Sequence, residues 1–324
     1  MKPHIKMTKQ NLTPKLKAEI AELSFYSHKL AMFLNALFNL SFAACEHFTT
    51  TTGAPAYIFW CTMLIIFRLL FLAPFFSIIF KIDVTKYSGE SCLGSAIGFT
   101  HGLVATLVGI QLLSTSPTSN LSEVLSVFDA SWQLKATTLV SFSTGYMIED
   151  FFFMTVDGFI WGWNAEPMLQ SFILHHVACL IYLSSVAVVG AGHVGFLILV
   201  VMGEVTNSFQ NSRSISIQAL MKEQTDTNKG FFLGIKKIMT CILAVLFFFV
   251  RMVCGPFVIL FFSNHFFISG ERSEAVPLWI AGVWTFIAIA IVHGSIPFSM
   301  TLLGELKEIL GTGMGMGKEK EKKN

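Results

Sequence analysis

Eight stretches of the chain are each long and apolar enough to cross a lipid bilayer, at residues 28 to 48, 55 to 80, 91 to 115, 134 to 154, 168 to 189, 192 to 212, 236 to 262 and 277 to 303. About 20 apolar residues in a helix cover a hydrocarbon core of roughly 30 Å. Within that core each backbone N–H and C=O must be satisfied inside its own segment, which makes every such stretch a helix. The expected fold class is all-α, a polytopic transmembrane helical bundle of about eight spans. Only short polar breaks separate the spans, leaving little room for a soluble domain. With 53% of residues hydrophobic and 13% charged, a water-soluble globule is excluded. The first span is the most polar. It holds Asn35, Asn39 and Ser41 and ends at Glu46 and His47, so an amphipathic or re-entrant helix is the alternative there.

Basic residues fix the expected orientation, because loops rich in Lys and Arg stay on the cytoplasmic side. With eight spans, 18 of the 22 Lys and Arg fall on the side that carries both termini, and only Lys135 and Arg272 on the other. Arg68 and Arg251 lie inside spans. Removing the first span weakens the contrast to 12 against 8. The charge distribution therefore favours eight crossings with both termini cytoplasmic. It also accounts for the basic residues without a nucleic-acid partner. Residues 1 to 27 are polar and lysine-rich rather than signal-like, so the first span is expected to direct insertion itself.

The six cysteines all fall in or beside spans and none forms a C-x-x-C pair, so neither a disulfide framework nor a zinc site is expected. Asn120-Leu121-Ser122, in the polar non-cytoplasmic loop, reads as a glycosylation acceptor. Two similar triplets begin at Asn11 and Asn39, the first expected in the cytoplasm and the second in lipid. A glycine-rich stretch, 311 to 317, leads to a charged tail ending Lys320-Glu321-Lys322-Lys323-Asn324. This ending fits the dilysine pattern that retrieves membrane proteins to the endoplasmic reticulum.

Polar and charged groups inside a bilayer are costly and face a bundle interior or a cavity. Here they are His101 in the third span, Glu149 and Asp150 in the fourth, His175 and His176 in the fifth, Glu204 in the sixth, Arg251 in the seventh and His293 in the eighth. Helical rise puts His101, His293 and Glu204 roughly 13 to 15 Å from the cytoplasmic face, and His175 and His176 roughly 10 to 12 Å. Asp150 comes out shallower and Arg251 deeper. Residues three or four apart share a face, which gives the polar stripes Ser171, His175, Cys179 and Tyr182; Glu204, Asn207, Ser208 and Asn211; and Ser143, Tyr146 and Asp150. These stripes outline a polar pocket opening toward the cytoplasm. The plainer alternative is hydrogen bonding between helices that only holds the bundle together. A metal site is not expected, since adjacent His175 and His176 point about 100° apart and one helix then offers one ligand.

The run Gly145-Tyr146-Met147-Ile148-Glu149-Asp150, then Leu174-His175-His176, then Gly203 through Asn211, resembles the TLC domain. That domain is shared by ceramide synthases, the translocating-chain-associating membrane protein and smaller TLC-domain-containing proteins. Ser95 to Gly102 resembles its first helix, and Phe247 to Arg251 its aromatic-plus-Arg penultimate helix. The implied division is a basic N-terminal segment at 1 to 27, two N-terminal membrane helices at 28 to 87, a TLC domain of six spans at 88 to 308, and a charged tail at 309 to 324. The six spans are expected to form a barrel around a lipid site.

In ceramide synthases the resemblance implies acyl transfer from acyl-CoA to a sphingoid amine at the paired histidines. Carried over, His175 or His176 would be catalytic, with Glu204 or Asp150 orienting the imidazole. The remaining candidates for the cavity are His101, Tyr146, Cys179, Asn207, Asn211, Arg251 and His293. This sequence departs from the synthase pattern in its sixth span. There a His-Asp and a second Asp three residues on are replaced by Gly203, Glu204 and Asn207. The likeness is closer to the smaller TLC proteins, which are linked to lipid homeostasis and membrane composition. The expectation is a non-catalytic or cryptically catalytic, lipid-binding protein of the endoplasmic reticulum, with no cofactor and with membrane lipid as its partner. An acyltransferase that takes acyl-CoA as substrate is the alternative, and a transporter a lesser one; the latter calls for an inverted repeat, which the sequence does not display.

Overall fold

The computed structural model describes residues 40–41, 43–85, 87–163, 169–220 and 226–321. The chain divides into two compact units, Met1–Ala54 and Pro55–Asn324. In the first, residues 43–52 are helical. Most of the expected first span lies outside the described residues.

The second unit consists of helices. They are α1 (Ala56–Ile79), α2 (Tyr87–Ser114), α3 (Ala130–Trp161), α4 (Leu169–Val189), α5 (His193–Leu220), α6 (226–268) and α7 (Leu278–Glu321). Among the described residues the one β feature is an isolated antiparallel bridge between Val124 and Ala191. Five stretches are long and apolar enough to cross a membrane: Ala56–Ile79, Ser91–Ser114, Leu169–Val189, Lys229–Ile268 and Leu278–Gly311. The helices α3 and α5 have 32 and 28 residues, about 48 and 42 Å at helical rise, so they too exceed the hydrocarbon thickness. Their hydropathy is lower because they carry acidic residues, and these are turned inward: Glu149 is 0% and Glu204 5% exposed.

Local chemistry sets the helix ends. Asp129 caps α3 by accepting the Trp132 N–H at 3.0 Å, and Gly162, at φ 91°, stops that helix in a conformation side chains resist. Between α4 and α5 the turn is made by Gly190 and Gly192, both at positive φ. The preceding loop latches onto it: Leu125 N–H donates to Gly190 O at 2.8 Å, and Gly192 N–H to Glu123 O at 3.1 Å.

Helix packing closes on itself. The pairs α2 with α5, α5 with α6, α6 with α7, α7 with α4, α4 with α3, and α3 with α2 all touch, while α1 packs on α3 and reaches α2. Small residues permit the tightest approaches, as they do between membrane helices generally. A Cβ on Gly98 or Gly102 of α2 would fall 2.7 Å from Asn211 Nδ2 or 2.9 Å from Ser208 Oγ of α5. A Cβ on Gly145 would fall 2.8 Å from the backbone nitrogen of Cys61, so α1 lies directly on α3 there. The outer surface is apolar, with Leu70, Phe71, Ile78, Val188, Phe257, Trp279 and Phe286 all exposed. Polar residues sit inside, the arrangement a lipid solvent requires.

Candidate functional site

Two of the spanning helices carry a buried arginine in a π-helical turn just ahead of a proline. Arg68 opens the turn Arg68–Leu72, followed by Pro74; Arg251 sits in Phe248–Cys254, followed by Pro256. Proline has no N–H to offer the carbonyl four residues back and its ring pushes that carbonyl away, so the helix widens locally. Both side chains are buried, Arg68 1% and Arg251 8% exposed.

Arg68 begins a polar chain that crosses the interior. Its Nε donates to Glu149 Oε1 at 2.6 Å, its Nη2 lies 3.7 Å from Asp150 Oδ1, and its guanidinium stacks 4.0 Å from the Phe153 ring centroid. Asp150 is met from α4 by His176, whose Nε2 is 2.9 Å from Oδ2, and from its own helix by Tyr146, whose hydroxyl donates at 3.3 Å. The Tyr146 ring stacks on His101 with centroids 4.0 Å apart and planes 15° apart. From His101, Nε2 is 3.1 Å from Ser143 Oγ, and Nδ1 is 3.4 Å from Glu204 Oε2, which also accepts the Asn207 Nδ2–H at 3.1 Å. Both His176 Nε2 and His101 Nδ1 lie within ion-pair distance of their carboxylates but out of line for a straight hydrogen bond.

The two adjacent histidines have different surroundings. His176 donates from Nδ1 to the Phe172 carbonyl at 2.8 Å, one turn back. Its other nitrogen therefore faces the Asp150 carboxylate. His175 is turned away, its ring centroid 5.7 Å from that of His176 with planes 85° apart. It faces a cavity of about 90 Å³. Beside it is Cys179, with Sγ 3.6 Å from His175 Nε2.

The cavity has a mixed lining. Polar groups come from His101, His175, Glu204, Asn207 and Arg251, with Cys179 among them; apolar groups come from Met147, Leu183, Phe196 and Val200 on α3 to α5 and from Val258, Ile259, Ile287, Ala288, Ile291 and Val292 on α6 and α7. Of the expected cavity residues, Tyr146 and Asn211 lie behind the wall: Tyr146 stacks on His101, and Asn211 packs on Gly98 of α2. His293 does not join them. It is exposed on the outer side of α7, while its neighbours Ile291 and Val292 line the cavity. Asp150 and His176 also lie behind the lining, so the four residues expected as catalytic divide into two that touch the cavity, His175 and Glu204, and two that brace it.

Arg68 joins this network although the sequence placed it only inside a span and not among the cavity candidates, whereas Ser143 belongs to the expected stripe with Tyr146 and Asp150. The signal for Arg68 was present, a lone arginine in an apolar span. A second array lies at the far end of α6. There Ser122 Oγ is 2.9 Å from His265 Nε2, and His265 Nδ1 is 3.4 Å from Glu271 Oε2. Ser122 is fully buried and its Oγ accepts the Ser273 N–H at 2.8 Å, so this array staples two loops. Asn120 is drawn into the same staple, its Oδ1 accepting the Ser122 N–H and O–H at 3.0 Å each. Among the described residues no cluster of three or more His, Cys, Asp or Glu is arranged to hold a metal ion.

Apolar helices turned outward around an ionisable interior define an integral membrane protein. The profile of the TLC domain matches residues 94–300, about two thirds of the chain, and the chain belongs to the TLC-domain family. The matched range holds His101, Asp150, His175, His176, Glu204 and Arg251, and leaves out α1 with Arg68. No curated protein and no solved structure matched the chain.

Proposed function

We propose that this protein binds a membrane lipid inside a six-helix barrel formed by α2 to α7 and takes part in lipid homeostasis or membrane composition. The observation that carries this reading is the mixed lining of the cavity, in which polar groups of His101, His175, Glu204, Asn207 and Arg251 share the space with aliphatic side chains, those of α6 and α7 prominent among them. Such a lining matches an amphipathic ligand and nothing purely polar. The proposal includes eight crossings with both termini in the cytoplasm, residence in the endoplasmic reticulum, and a closer kinship to the small TLC proteins than to ceramide synthases. Protein purified in mild detergent should carry lipid in near-stoichiometric amount. Mass spectrometry that finds none beyond the bulk membrane profile would overturn the reading. Orientation is read with a C-terminal epitope in cells whose plasma membrane alone is permeabilised; an epitope that stays hidden would reverse it.

One observation favours acyl transfer as a second reading. His175 faces the cavity with Cys179 beside it, while His176 is occupied by Asp150 and Phe172. In that reading His175 is the group that meets an acyl thioester, and His176 with Asp150 fixes its helix. Asn207, in place of a carboxylate, weighs toward binding. Incubation with labelled acyl-CoA and a panel of long-chain amines separates the two: product lost in His175→Ala but kept in part by His176→Gln supports the enzyme, and no turnover supports the binding protein.

A further inference from the structure

The arginines packed within the helices are not equally provided for. Arg68 is bonded to Glu149, and Arg213 holds both oxygens of Glu305 at 2.5 and 2.6 Å. For Arg251, no carboxylate of the described residues lies within ion-pair distance. Its Nη2 donates to the Gly203 carbonyl at 3.1 Å, its guanidinium lies 5.5 Å from the Phe247 ring centroid, and its Nε–H has no hydrogen-bond partner. It is 8% exposed and lines the cavity. A buried guanidinium that lines a cavity and keeps an unused donor is a half-site for an anion. The other ionised group on the cavity wall is already answered, since Glu204 accepts from Asn207 and faces His101.

We infer that Arg251 receives the carboxylate of a single-chain fatty acid, whose alkyl chain lies along the aliphatic wall of α6 and α7. This deepens the reading of the cavity as a lipid site and rests on it. Three features select the ligand. The planar fork of a guanidinium matches a carboxylate, and the free Nε–H lies on that fork. Val258 and Ile259 stand about two turns beyond Arg251 on the same helix, and Ile287, Ala288, Ile291 and Val292 face them from α7, so an apolar track starts at the cation. The free volume of about 90 Å³, below the roughly 150 Å³ of a cavity that holds benzene, admits the carboxylate end of one chain and excludes a two-chain lipid with its headgroup.

The test uses the full chain in nanodiscs at pH 8.5 with radiolabelled oleate, displaced in turn by unlabelled oleate, methyl oleate and oleoyl lysophosphatidate. Oleate should displace the label, and the methyl ester should be about tenfold weaker or worse, the worth of a charge-assisted hydrogen bond. Arg251→Gln should bring acid and ester to equal affinity, and Arg251→Lys should keep part of the preference, with thermal melting reporting that each variant is folded. If ester and acid bind the native protein equally, the carboxylate role of Arg251 is wrong while lipid binding stands. Stronger displacement by lysophosphatidate would assign the site to a phosphate and overturn the proposal. If neither oleate nor its ester binds, the lipid-site reading falls with it.

Discussion

Removing Arg68 tests what ties α1 to the rest of the bundle. Its Nε and Glu149 Oε1 are 2.6 Å apart, and the two side chains are 1% and 0% exposed. At an effective dielectric constant of about 20, unit charges this close attract by roughly 6 kcal/mol. Much of that is offset by the cost of desolvating both ions, so the informative quantity is what remains when one partner is deleted. Breaking a buried pair leaves an uncompensated charge and costs about 3–5 kcal/mol, whereas replacing both partners with apolar groups is often close to neutral. Arg68→Leu should therefore be severely destabilising, the more so because Asp150 loses the same guanidinium at 3.7 Å. Arg68→Leu with Glu149→Leu should recover most of the loss. At about 2–4 °C per kcal/mol, the value for chains of 150–250 residues and an upper guide for this longer one, the single variant should melt up to roughly 6–20 °C below native protein, followed by the fluorescence of a thiol-reactive dye in detergent. A double-mutant cycle should give a coupling at or above the top of the usual range, about 3 kcal/mol or more. The reasoning fails if Arg68→Leu alone melts with the native protein, or if the double variant loses the sum of the two single losses.

Other perturbations follow from particular contacts. Gly145→Val sets a side chain against the backbone of α1, which cannot swing aside; a loss of at least about 1–3 kcal/mol should appear as a lower melting temperature. Ser122→Ala removes the group shared by His265, Asn120 and Ser273, and should cost about 1–3 kcal/mol and raise protease cleavage in the 115–129 loop. His293→Ala, on the outer face of α7, should change neither melting nor lipid content beyond error, and a loss of bound lipid would place His293 at a site the described cavity lacks.

The parts of this fold that were legible in the sequence are those that depend on one helix at a time. The five apolar stretches expected from 55, 91, 168, 236 and 277 onward are helices here because a run of apolar residues needs no partner to declare itself. Direction around the helix axis was not legible: the rise per residue puts His293 and His101 at one expected level, yet α7 turns one outward and α2 turns the other in. The separation of His175 from His176 was readable from the 100° step, but which of them faced the cavity depended on where α3 brought Asp150. Arg68 shows the same limit. A single arginine in an apolar span signals an interior partner without naming it, and Glu149 lies 81 residues away. The helix α5 runs past its expected end because its last two turns carry Arg213, Ser214, Ser216 and Gln218 and hydropathy marks only the apolar part, while α3 continues to Trp161 through apolar turns interrupted by Asp157 and Gly158.

The arginine–proline pairs connect these observations. A regular helix spaces its side chains at 100°, so an inward arginine carries its neighbours around in a fixed register. A π turn adds a residue to that register, and Pro74 and Pro256 each have one directly upstream. In α1 the turn delivers Arg68 to the carboxylates that position His176, although α1 lies outside the matched family domain. In α6 it delivers Arg251 to the cavity itself, one turn from Phe247 and opposite Gly203. One arginine thus neutralises the protein's own acids and the other is left with a donor to spare. In a solvent where an isolated charge is costly, that difference separates a cation serving the fold from one placed for something the protein does not itself supply.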